Sequence, residues 1–326
     1  MIKEQEMYKK ELFSSEFLNI ADGETVFDFF LLSSIKYNSS SKGVKWLELR
    51  LEDCTGSIHG RVWSDAIKAE YLDQAGKVML VKGVVNFYAG RPELTVTLMR
   101  EMEAGTFDLT EVIRSLSEEM LKKEVLSIEN LMDRIPDPAI GQYVKSICTS
   151  ERIMEMGRLP VHLYGHHSYR GGLLEHTLEV SYGAFYHAKF VQGIRMKQAD
   201  LSLLAAGALL HDIHVPEFIG KNGYSCYRKP FDGLMGSSSG LEVLKNARKE
   251  AAISEERFIH LLHIIEASHE DGPKPKTLEA MAVRSANALS IEMNQLEETF
   301  RNADIYHSDS KNYAWCRSLD REVYRL

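Results

Sequence analysis

The chain has 326 residues, of which 44% are hydrophobic and 26% charged, and its formal net charge is −8. This length is sufficient for two domains of ordinary size, each with its own hydrophobic core. The negative charge argues against a protein that coats nucleic acid with a uniformly basic surface, although a local basic groove is compatible with it. The sequence has no apolar run of about 18 residues, so we expect no membrane-spanning helix.

The first residues are charged and are not followed by an apolar signal core, so we expect no secretory leader. The cysteines are widely spaced and form no Cys-x-x-Cys pair; they are Cys54, Cys148, Cys226 and Cys316. Such thiols are typical of a reducing compartment, and we therefore expect a cytoplasmic protein.

The first third of the chain alternates between apolar and polar residues, which is the period of β-strands. Residues 1–20 are predicted to form an N-terminal extension with a short helix at 4–17. The predicted strands are 26–35, 46–51, 57–63, 78–88 and 93–98, with a helical turn at 66–71. Five short strands with a helix between the third and the fourth predict an OB-type barrel, which we place at residues 21–104.

The barrel carries aromatic and basic side chains that suit single-stranded nucleic acid, because aromatic rings stack on bases while cations follow phosphates. The candidates for this contact are Arg61, Trp63, Lys82, Phe87, Tyr88 and Arg91. An equally open alternative is that Trp63 and Phe87 pack in the barrel core. A further alternative is a barrel that serves only to pack against the following domain.

Residues 105–160 are predicted to be a linker with outer helices, including an amphipathic stretch from Thr110 to Leu121. Residues 161–305 contain the strongest helical patterns, at 173–190, 199–210, 240–251, 254–267 and 277–299. These patterns predict an all-α domain behind the barrel, followed by a polar and aromatic tail at 306–326. The fold class is therefore a multi-domain protein with separate β and α parts.

Two apolar segments of the helical region are interrupted by groups that bind metal ions. His176 lies in one segment, and the pair His211-Asp212 closes the apolar run 201–210. Neighbouring helices could bring two imidazoles and a carboxylate to one divalent cation. A buried His-Asp pair is by itself more often a structural hydrogen bond, but here a second His accompanies it, and burial without a partner would be costly.

The stretch Gly165-His-His-Ser-Tyr-Arg-Gly-Gly-Leu-Leu-Glu-His-Thr177, followed by Ala208-Leu-Leu-His-Asp-Ile213, resembles the core of HD-domain phosphohydrolases. More narrowly, the chain is similar to the bacterial YhaM-type 3′→5′ exoribonucleases, which carry an OB-type domain before the HD domain. The resemblance implies metal-assisted hydrolysis of phosphodiesters, with single-stranded RNA or DNA as the partner.

The resemblance also implies roles for individual residues. It implies a metal-binding set made of His176, His211, Asp212, His269 and Glu270. His211 and Asp212 would also be catalytic, and His166 and His167 would lie beside the site and contact the substrate. Arg170 is a candidate phosphate contact. The alternatives are a His pair that caps the following helix and a solvated arginine.

Three positions depart from the family pattern. Val215 replaces a Lys that would face phosphate, Ser237 replaces a His ligand, and Asn287 replaces the distal Asp ligand. A hydroxyl and a neutral amide are poorer ligands than imidazole and carboxylate, so we expect a single ion. Its identity stays open between Mn²⁺, Fe²⁺ and Mg²⁺.

Three functional hypotheses follow from these observations. The first is a metal-dependent 3′→5′ exoribonuclease. The second is a catalytically weakened or inactive HD-domain protein that binds nucleic acid or a nucleotide in a regulatory role. The third, an HD enzyme acting on a small phosphorylated molecule, does not account for the barrel. The sequence is compatible with a homo-oligomer and does not determine the oligomeric state.

Overall fold

The computed structural model describes residues 7–41, 43–163, 165–195, 199–229, 238–249, 251–305 and 312–325. The chain divides into two compact units. The first comprises Met1–Ser115 with Lys221–Tyr227, and the second comprises Leu116–Gly220 with Arg228–Leu326. The barrel strands belong to the first unit and the long helices belong to the second.

Five strands of the first unit close into a barrel with the neighbour order β1-β2-β3-β5-β4. They are β1 (Thr25–Ser39), β2 (Lys45–Asp53), β3 (Gly56–Trp63), β4 (Lys77–Tyr88) and β5 (Arg91–Glu101). Strands β3 and β5 pair in parallel, whereas the other neighbours pair antiparallel. A 3₁₀ turn at Ala69–Tyr71 lies between β3 and β4. This arrangement confirms the predicted OB-type barrel.

Alternating side chains let the barrel enclose one hydrophobic core. In β3, for example, Ile58 is buried, whereas Arg61 and Trp63 on the opposite face are accessible. Gly83 of β4 lies at a register shift against β5, where a Cβ atom would come within 2.7 Å of the Thr95 carbonyl oxygen. Glycine at this position therefore permits the close approach of β4 and β5.

The segment before the barrel does not form the predicted helix. Residues 7–13 are not helical, so the predicted helix at 4–17 is wrong there, and only its last residues belong to a 3₁₀ helix, at Ser14–Asn19. The backbone N–H groups of Glu11 and Leu12 instead donate to the Asp28 carboxylate. These contacts with β1 take up backbone donors in an extended conformation and so compete with the local helical pattern.

A buried lysine holds this segment in place. The Lys10 ammonium lies 3.7 Å from a carboxylate oxygen of Asp28 and 3.7 Å from one of Asp53. It also donates a 2.5 Å hydrogen bond to the Phe29 carbonyl oxygen and lies 3.6 Å from the centre of the Phe30 ring. One cation therefore compensates two buried carboxylates at the wall of the barrel.

The described residues form ten helices. A short helix α1 (Leu109–Val112) belongs to the first unit. Those of the second unit are α2 (Glu118–Asp133), α3 (Pro138–Ile147), α4 (Ser150–Met156), α5 (Gly172–Arg195), α6 (Leu201–Leu210), α7 (Val215–Phe218), α8 (Ser238–Arg248), α9 (Glu255–Ala267) and α10 (Leu278–Ile305). The five predicted core helices correspond to α5, α6, α8, α9 and α10, which confirms the all-α class.

The amphipathic stretch predicted from Thr110 to Leu121 is broken in the structure. Helix α1 ends at Val112, and α2 begins after Ser117, whose hydroxyl caps the helix by accepting from the Met120 N–H. A serine cap starts a new helix because it satisfies a backbone donor that has no partner within the helix. The apolar spacing alone did not reveal this boundary.

Helix α6 forms the centre of the second unit, since eight of its ten residues are buried. Its N-terminus is capped by Asp200, which accepts from the N–H groups of Ser202 and Leu203. Gly207 allows α9 to approach, because a Cβ atom there would lie 2.3 Å from the Ile264 side chain. Because α6 is apolar on all sides and therefore buried, the residues that directly follow it, His211 and Asp212, also lie in the interior.

Two hairpins complete the chain, namely β6 (Ile219–Asn222) with β7 (Ser225–Arg228) and β8 (Tyr313–Cys316) with β9 (Arg321–Tyr324). The second hairpin packs on α10 through Phe300, Cys316 and Val323. Among the described residues, no helix combines the length and the apolar character needed to cross a bilayer.

We expect Lys10→Met to lower the free energy of unfolding by about 3–5 kcal/mol, because Asp28 and Asp53 would be left as uncompensated buried charges. Chemical denaturation monitored by fluorescence measures this change. The matched control is Lys9→Met, since Lys9 is the exposed neighbour. An equal effect of both substitutions would contradict the assigned role of Lys10.

Candidate metal centre

Three side chains from neighbouring elements converge in the interior of the second unit. His176 lies on α5, whereas His211 and Asp212 directly follow α6. Nε2 of His176 lies 3.2 Å from Nε2 of His211 and 3.6 Å from Oδ2 of Asp212, and Nε2 of His211 lies 3.4 Å from the same oxygen. Two imidazole nitrogens and a carboxylate oxygen at these separations can share one divalent cation.

The second nitrogen of each imidazole is already engaged. Nδ1 of His211 donates to the Ala208 carbonyl oxygen at 2.8 Å. Nδ1 of His176 lies 2.8 Å from the Ser290 hydroxyl. These contacts engage Nδ1 of each ring and leave both Nε2 atoms facing the Asp212 carboxylate. A histidine binds a metal ion through Nε2 when its proton is on Nδ1.

The charges of these three groups depend on one another. Burial opposes the charge of Asp212, but His211 and the nearby imidazoles outweigh it and hold the pKa of this carboxyl well below its usual range. Burial also disfavours a charged His211, yet Asp212 and the Ala208 carbonyl raise the pKa of His211 above its ordinary value. Burial and the neighbouring His211 hold the pKa of His176 well below its ordinary value. The centre therefore offers an anionic oxygen and a neutral imidazole to a cation.

The loop before α5 brings the His166-His167 pair against His176. The ring centres of His166 and His167 lie 4.9 Å and 4.8 Å from that of His176, and their Nδ1 atoms lie 3.2 Å apart. Gly172 is required at this approach, because a Cβ atom would lie 2.3 Å from the His167 carbonyl oxygen. The preceding Gly171 has φ +93°, a conformation that favours glycine.

An open cavity of about 460 Å³ leads to the centre. Its lining includes His162, His166, His176, Asp212, His214, His269, Glu270 and Asn287. Glu270 is exposed at this cavity and is not part of the metal-ligand groups found among the described residues. His167 is fully buried behind His166, and neither His167 nor Arg170 is among the lining residues. Substrate contacts of His167 and Arg170 remain predictions.

The two side-chain atoms of Asn287 are in different environments, and the difference bears on whether a metal ion fits this site. Its Nδ2 donates to the Ser268 carbonyl oxygen at 3.0 Å, while its Oδ1 is buried without a hydrogen-bond partner. A buried amide oxygen without a partner, on the wall of a cavity that also contains imidazoles and a carboxylate, suits an additional neutral ligand. The donor set therefore fits a divalent ion. Ser237, the other altered ligand position, lies outside the described residues.

The structure adds His214, which the sequence analysis did not assign to the site, next to the predicted His269. His214 groups with Asp212 and His269, and burial lowers the pKa of His214 to about 4. Nε2 of His269 lies 3.7 Å from Oδ1 of Asp212 and donates to the His211 carbonyl oxygen at 3.1 Å. The spacing of His211 and His214 in the sequence could have indicated that His214 lies near the site, because residues three apart lie on the same side of a helical turn.

The candidate residues of the barrel are accessible side chains of β3, β4 and β5. Trp63 is 37% exposed and lies outside the barrel core, so the alternative that it packs in that core is wrong; the same holds for Phe87. Trp46 pairs with Trp63 across β2 and β3, with ring centres 6.1 Å apart. Trp46 was not predicted to take part, although the matching strand positions would have indicated it.

Charged candidates on this face are partly engaged with each other. The Arg61 guanidinium forms an ion pair with Glu93 at 3.1 Å and lies 5.9 Å from the centre of the Tyr88 ring. Tyr88 and Arg91 are exposed and face each other at the turn between β4 and β5. This face therefore combines accessible aromatic rings with a small number of cations.

Comparisons with known proteins agree with this architecture. The HD-domain family model matches residues 173–292. The 3′-5′ exoribonuclease YhaM of Halalkalibacterium halodurans is 26% identical over 288 residues, which cover 84% of this chain and 86% of the relative. YhaM of Bacillus subtilis is 26% identical over 284 residues, which cover 84% and 87%. An asparaginyl-tRNA synthetase structure from Pyrococcus horikoshii aligns with 48% of this chain and 36% of that chain at 18% identity. The TM-score of this alignment is 0.25, which is too low to indicate a shared fold.

The matched region contains the elements that carry His176, His211 and Asp212, and the barrel precedes it in the chain. The chain therefore carries an HD domain behind an OB-type barrel, and it is similar over most of its length to the YhaM exoribonucleases.

Proposed function

We propose that the protein is a metal-dependent phosphodiesterase that acts on single-stranded nucleic acid, as a 3′→5′ exoribonuclease. The observation that supports this most is the convergence of His176, His211 and Asp212 at a cavity that is open to substrate. The preference for RNA and the direction of cleavage are taken from the two YhaM relatives, whose names specify both.

Nε2 of His176, Nε2 of His211 and Oδ2 of Asp212 would hold a divalent ion, with Oδ1 of Asn287 as an additional neutral ligand. We infer one ion at this set, namely Mn²⁺, Fe²⁺ or Mg²⁺, because the set contains a single carboxylate. When bound by these residues, the ion would supply Lewis-acid chemistry for the hydrolysis of a phosphodiester by water.

The protein groups around the ion would position the substrate. Burial together with neighbouring His162 and His167 lowers the pKa of His166 to about 3, so this imidazole on the cavity wall stays neutral. A neutral imidazole can donate or accept a hydrogen bond to the sugar-phosphate without repelling the metal ion. Beside it, His269 and Glu270 form the outer part of the wall and are proposed as further polar contacts.

The two parts of the chain would divide the work. The barrel at residues 21–104 would bind the strand by stacking bases on Trp63 and Tyr88, with Arg61 and Arg91 near the phosphates. The HD domain at 161–305, joined by 105–160, would hydrolyse the phosphodiester, and Arg170 is proposed as a phosphate contact there. We infer a cytoplasmic enzyme, because the four cysteines are widely spaced and form no Cys-x-x-Cys pair, as is typical of a reducing compartment.

A second candidate function is a catalytically weakened HD protein that binds nucleic acid in a regulatory role. Two observations favour it. Asn287 offers a neutral oxygen where the family pattern has a carboxylate, and Val215, where that pattern has a phosphate-facing Lys, is buried. The measurements below separate the two functions.

We expect His211→Ala and Asp212→Ala to lower the hydrolysis of labelled single-stranded RNA by about two orders of magnitude or more, because each removes a metal ligand. Gel electrophoresis in Mn²⁺ measures the rate, and elemental analysis measures bound metal. The matched control is His187→Ala, about three turns along α5 from His176. A wild-type protein that binds RNA but contains no metal and cleaves nothing would support the regulatory alternative.

Asn287→Asp should have opposite effects in the presence and absence of metal. With Mn²⁺ we expect affinity to rise on the order of tenfold, because the set gains an anionic ligand. Without metal we expect a lower Tm, because a buried carboxylate replaces the amide that donates to the Ser268 carbonyl oxygen. Titration calorimetry measures the Mn²⁺ affinity, and scanning calorimetry measures the Tm of the metal-free protein. An unchanged Mn²⁺ affinity would place Asn287 outside the ligand set.

Trp63→Ala and Trp46→Ala should each weaken the binding of an oligouridine strand by about 1–3 kcal/mol, the contribution of one stacked base. Fluorescence anisotropy measures the dissociation constant. The matched control is Trp315→Ala, since Trp315 is an exposed tryptophan of the second unit. Equal losses in all three variants would show that the effect does not come from the outer face of β2 and β3.

A further inference from the structure

A chain of hydrogen bonds leads from the buried His176 through the buried Ser290 to an exposed carboxylate on the same helix as His176. The Ser290 hydroxyl, on α10, donates to Oε2 of Glu179 at 2.5 Å. Because a hydroxyl has one proton, Ser290 can only accept at its 2.8 Å contact with Nδ1 of His176, so that Nδ1 carries the proton. The order of donors is therefore His176, Ser290 and Glu179.

The same oxygen of Glu179 also contacts the second histidine of the loop. Nε2 of His167 lies 3.3 Å from Oε2 of Glu179, although the contact does not meet the geometry of a hydrogen bond. The His167 ring is fully buried, and its backbone N–H donates to Oδ1 of Asn294 at 2.7 Å. One carboxylate thus contacts His167 directly and His176 through the Ser290 hydroxyl.

The neighbouring carboxyl groups do not duplicate this role. Glu175, one turn earlier on α5, accepts a hydrogen bond from the Tyr169 hydroxyl. Glu124 on α2 is buried, and burial together with Glu175 and Glu179 raises its pKa to about 8, so it is protonated at neutral pH. Glu179 has a side chain that is 44% exposed, and it is the carboxylate of this group that reaches Ser290.

We propose that Glu179 and Ser290 are positioning residues of the candidate metal centre. Ser290 holds the Nδ1 proton of His176, Glu179 orients Ser290, and Nε2 of His176 is thereby kept unprotonated and aimed at Asp212. Glu179 also borders His167, so that one side chain sets the orientation of two imidazoles. This inference rests on the proposed function, because the metal centre belongs to that proposal.

General chemistry gives the expected size of this effect. A ligating histidine usually donates its other N–H to an oxygen, and the loss of that partner typically costs 10- to 100-fold in metal affinity. Without Ser290 the His176 proton can move to Nε2, where the Asp212 oxygen lies 3.6 Å away. A protonated Nε2 has no lone pair for a metal ion.

The test uses the full-length protein, and free Mn²⁺ is quantified by electron paramagnetic resonance. We expect Ser290→Ala to weaken Mn²⁺ binding by about 10- to 100-fold and Glu179→Gln by about tenfold, because the amide still accepts from Ser290 but carries no charge. Ser290→Thr keeps the hydroxyl and is expected to retain the affinity. The Tm of each metal-free variant is measured in parallel.

Two controls separate positioning from packing. Ser181→Ala removes a buried hydroxyl of α5 that donates to the Thr177 carbonyl oxygen, and Glu175→Gln changes the neighbouring carboxylate. We expect both to leave Mn²⁺ affinity unchanged, whatever they do to Tm. A loss of affinity in the controls equal to that of Ser290→Ala would overturn the inference.

A second measurement needs no metal. Nitrogen-15 NMR of the metal-free protein reports which ring nitrogen of His176 is protonated, and we expect Nδ1–H in the wild type and a shift toward Nε2–H in Ser290→Ala. If the wild type binds no Mn²⁺, the proposed function fails while this measurement still tests the hydrogen-bond chain. If Ser290→Ala keeps both the wild-type tautomer and the wild-type affinity, the inference is wrong.

Discussion

A carboxylate buried at the end of an apolar helix is the constraint on which the second unit depends. Asp212 is 5% exposed and follows α6, whose residues are almost all buried. An unpaired charge at this position would cost several kcal/mol. The compensation comes from His176, His211 and His269, which lie 3.4–3.7 Å from its two oxygens and are carried by three different parts of the chain. The requirement to pair one charge thus ties α5, the end of α6 and the end of α9 to a common point.

The way in which this charge is paired also explains why a cation suits the centre. Asp212 raises the pKa of His211, whereas burial lowers that of His176, so the site favours a proton on His211 beside the carboxylate over one on His176. His176, His211 and Asp212 would hold a divalent ion in place of such a proton, because metal ligands bind in their deprotonated forms. Ala208 and Ser290 engage the Nδ1 atom of His211 and of His176, respectively, so the Nε2 atoms are the ones that face Asp212. The side chains of His176, His211 and Asp212 therefore already have an arrangement that suits the binding of a metal ion.

The sequence predicts those features that depend on local periodicity or on a short motif. The alternation of apolar and polar residues predicts the five strands, and the spacing of apolar residues predicts the long helices. The HD-domain motif predicts that His176 lies close to His211 and Asp212. Features that depend on residues far apart in the chain could not be read in this way. Glu179 and Ser290 are 111 residues apart, and nothing in either local sequence marks them as partners. Lys10 likewise sits in a segment with helical spacing, and two carboxylates of distant strands decide its conformation.

The charge on the barrel leads to a related conclusion about strand binding. The Arg61 guanidinium lies 5.9 Å from the centre of the Tyr88 ring, and Glu93 already neutralises it at 3.1 Å. The chain as a whole carries a net charge of −8, which repels a polyanion at long range. A strand bound here would therefore be held more by stacking on Trp46, Trp63 and Tyr88 than by phosphate contacts, and its affinity would depend less on salt than in a site made mainly of phosphate contacts. Stacking accepts every base, and a binding surface of this kind suits an enzyme that must follow a strand whatever its sequence.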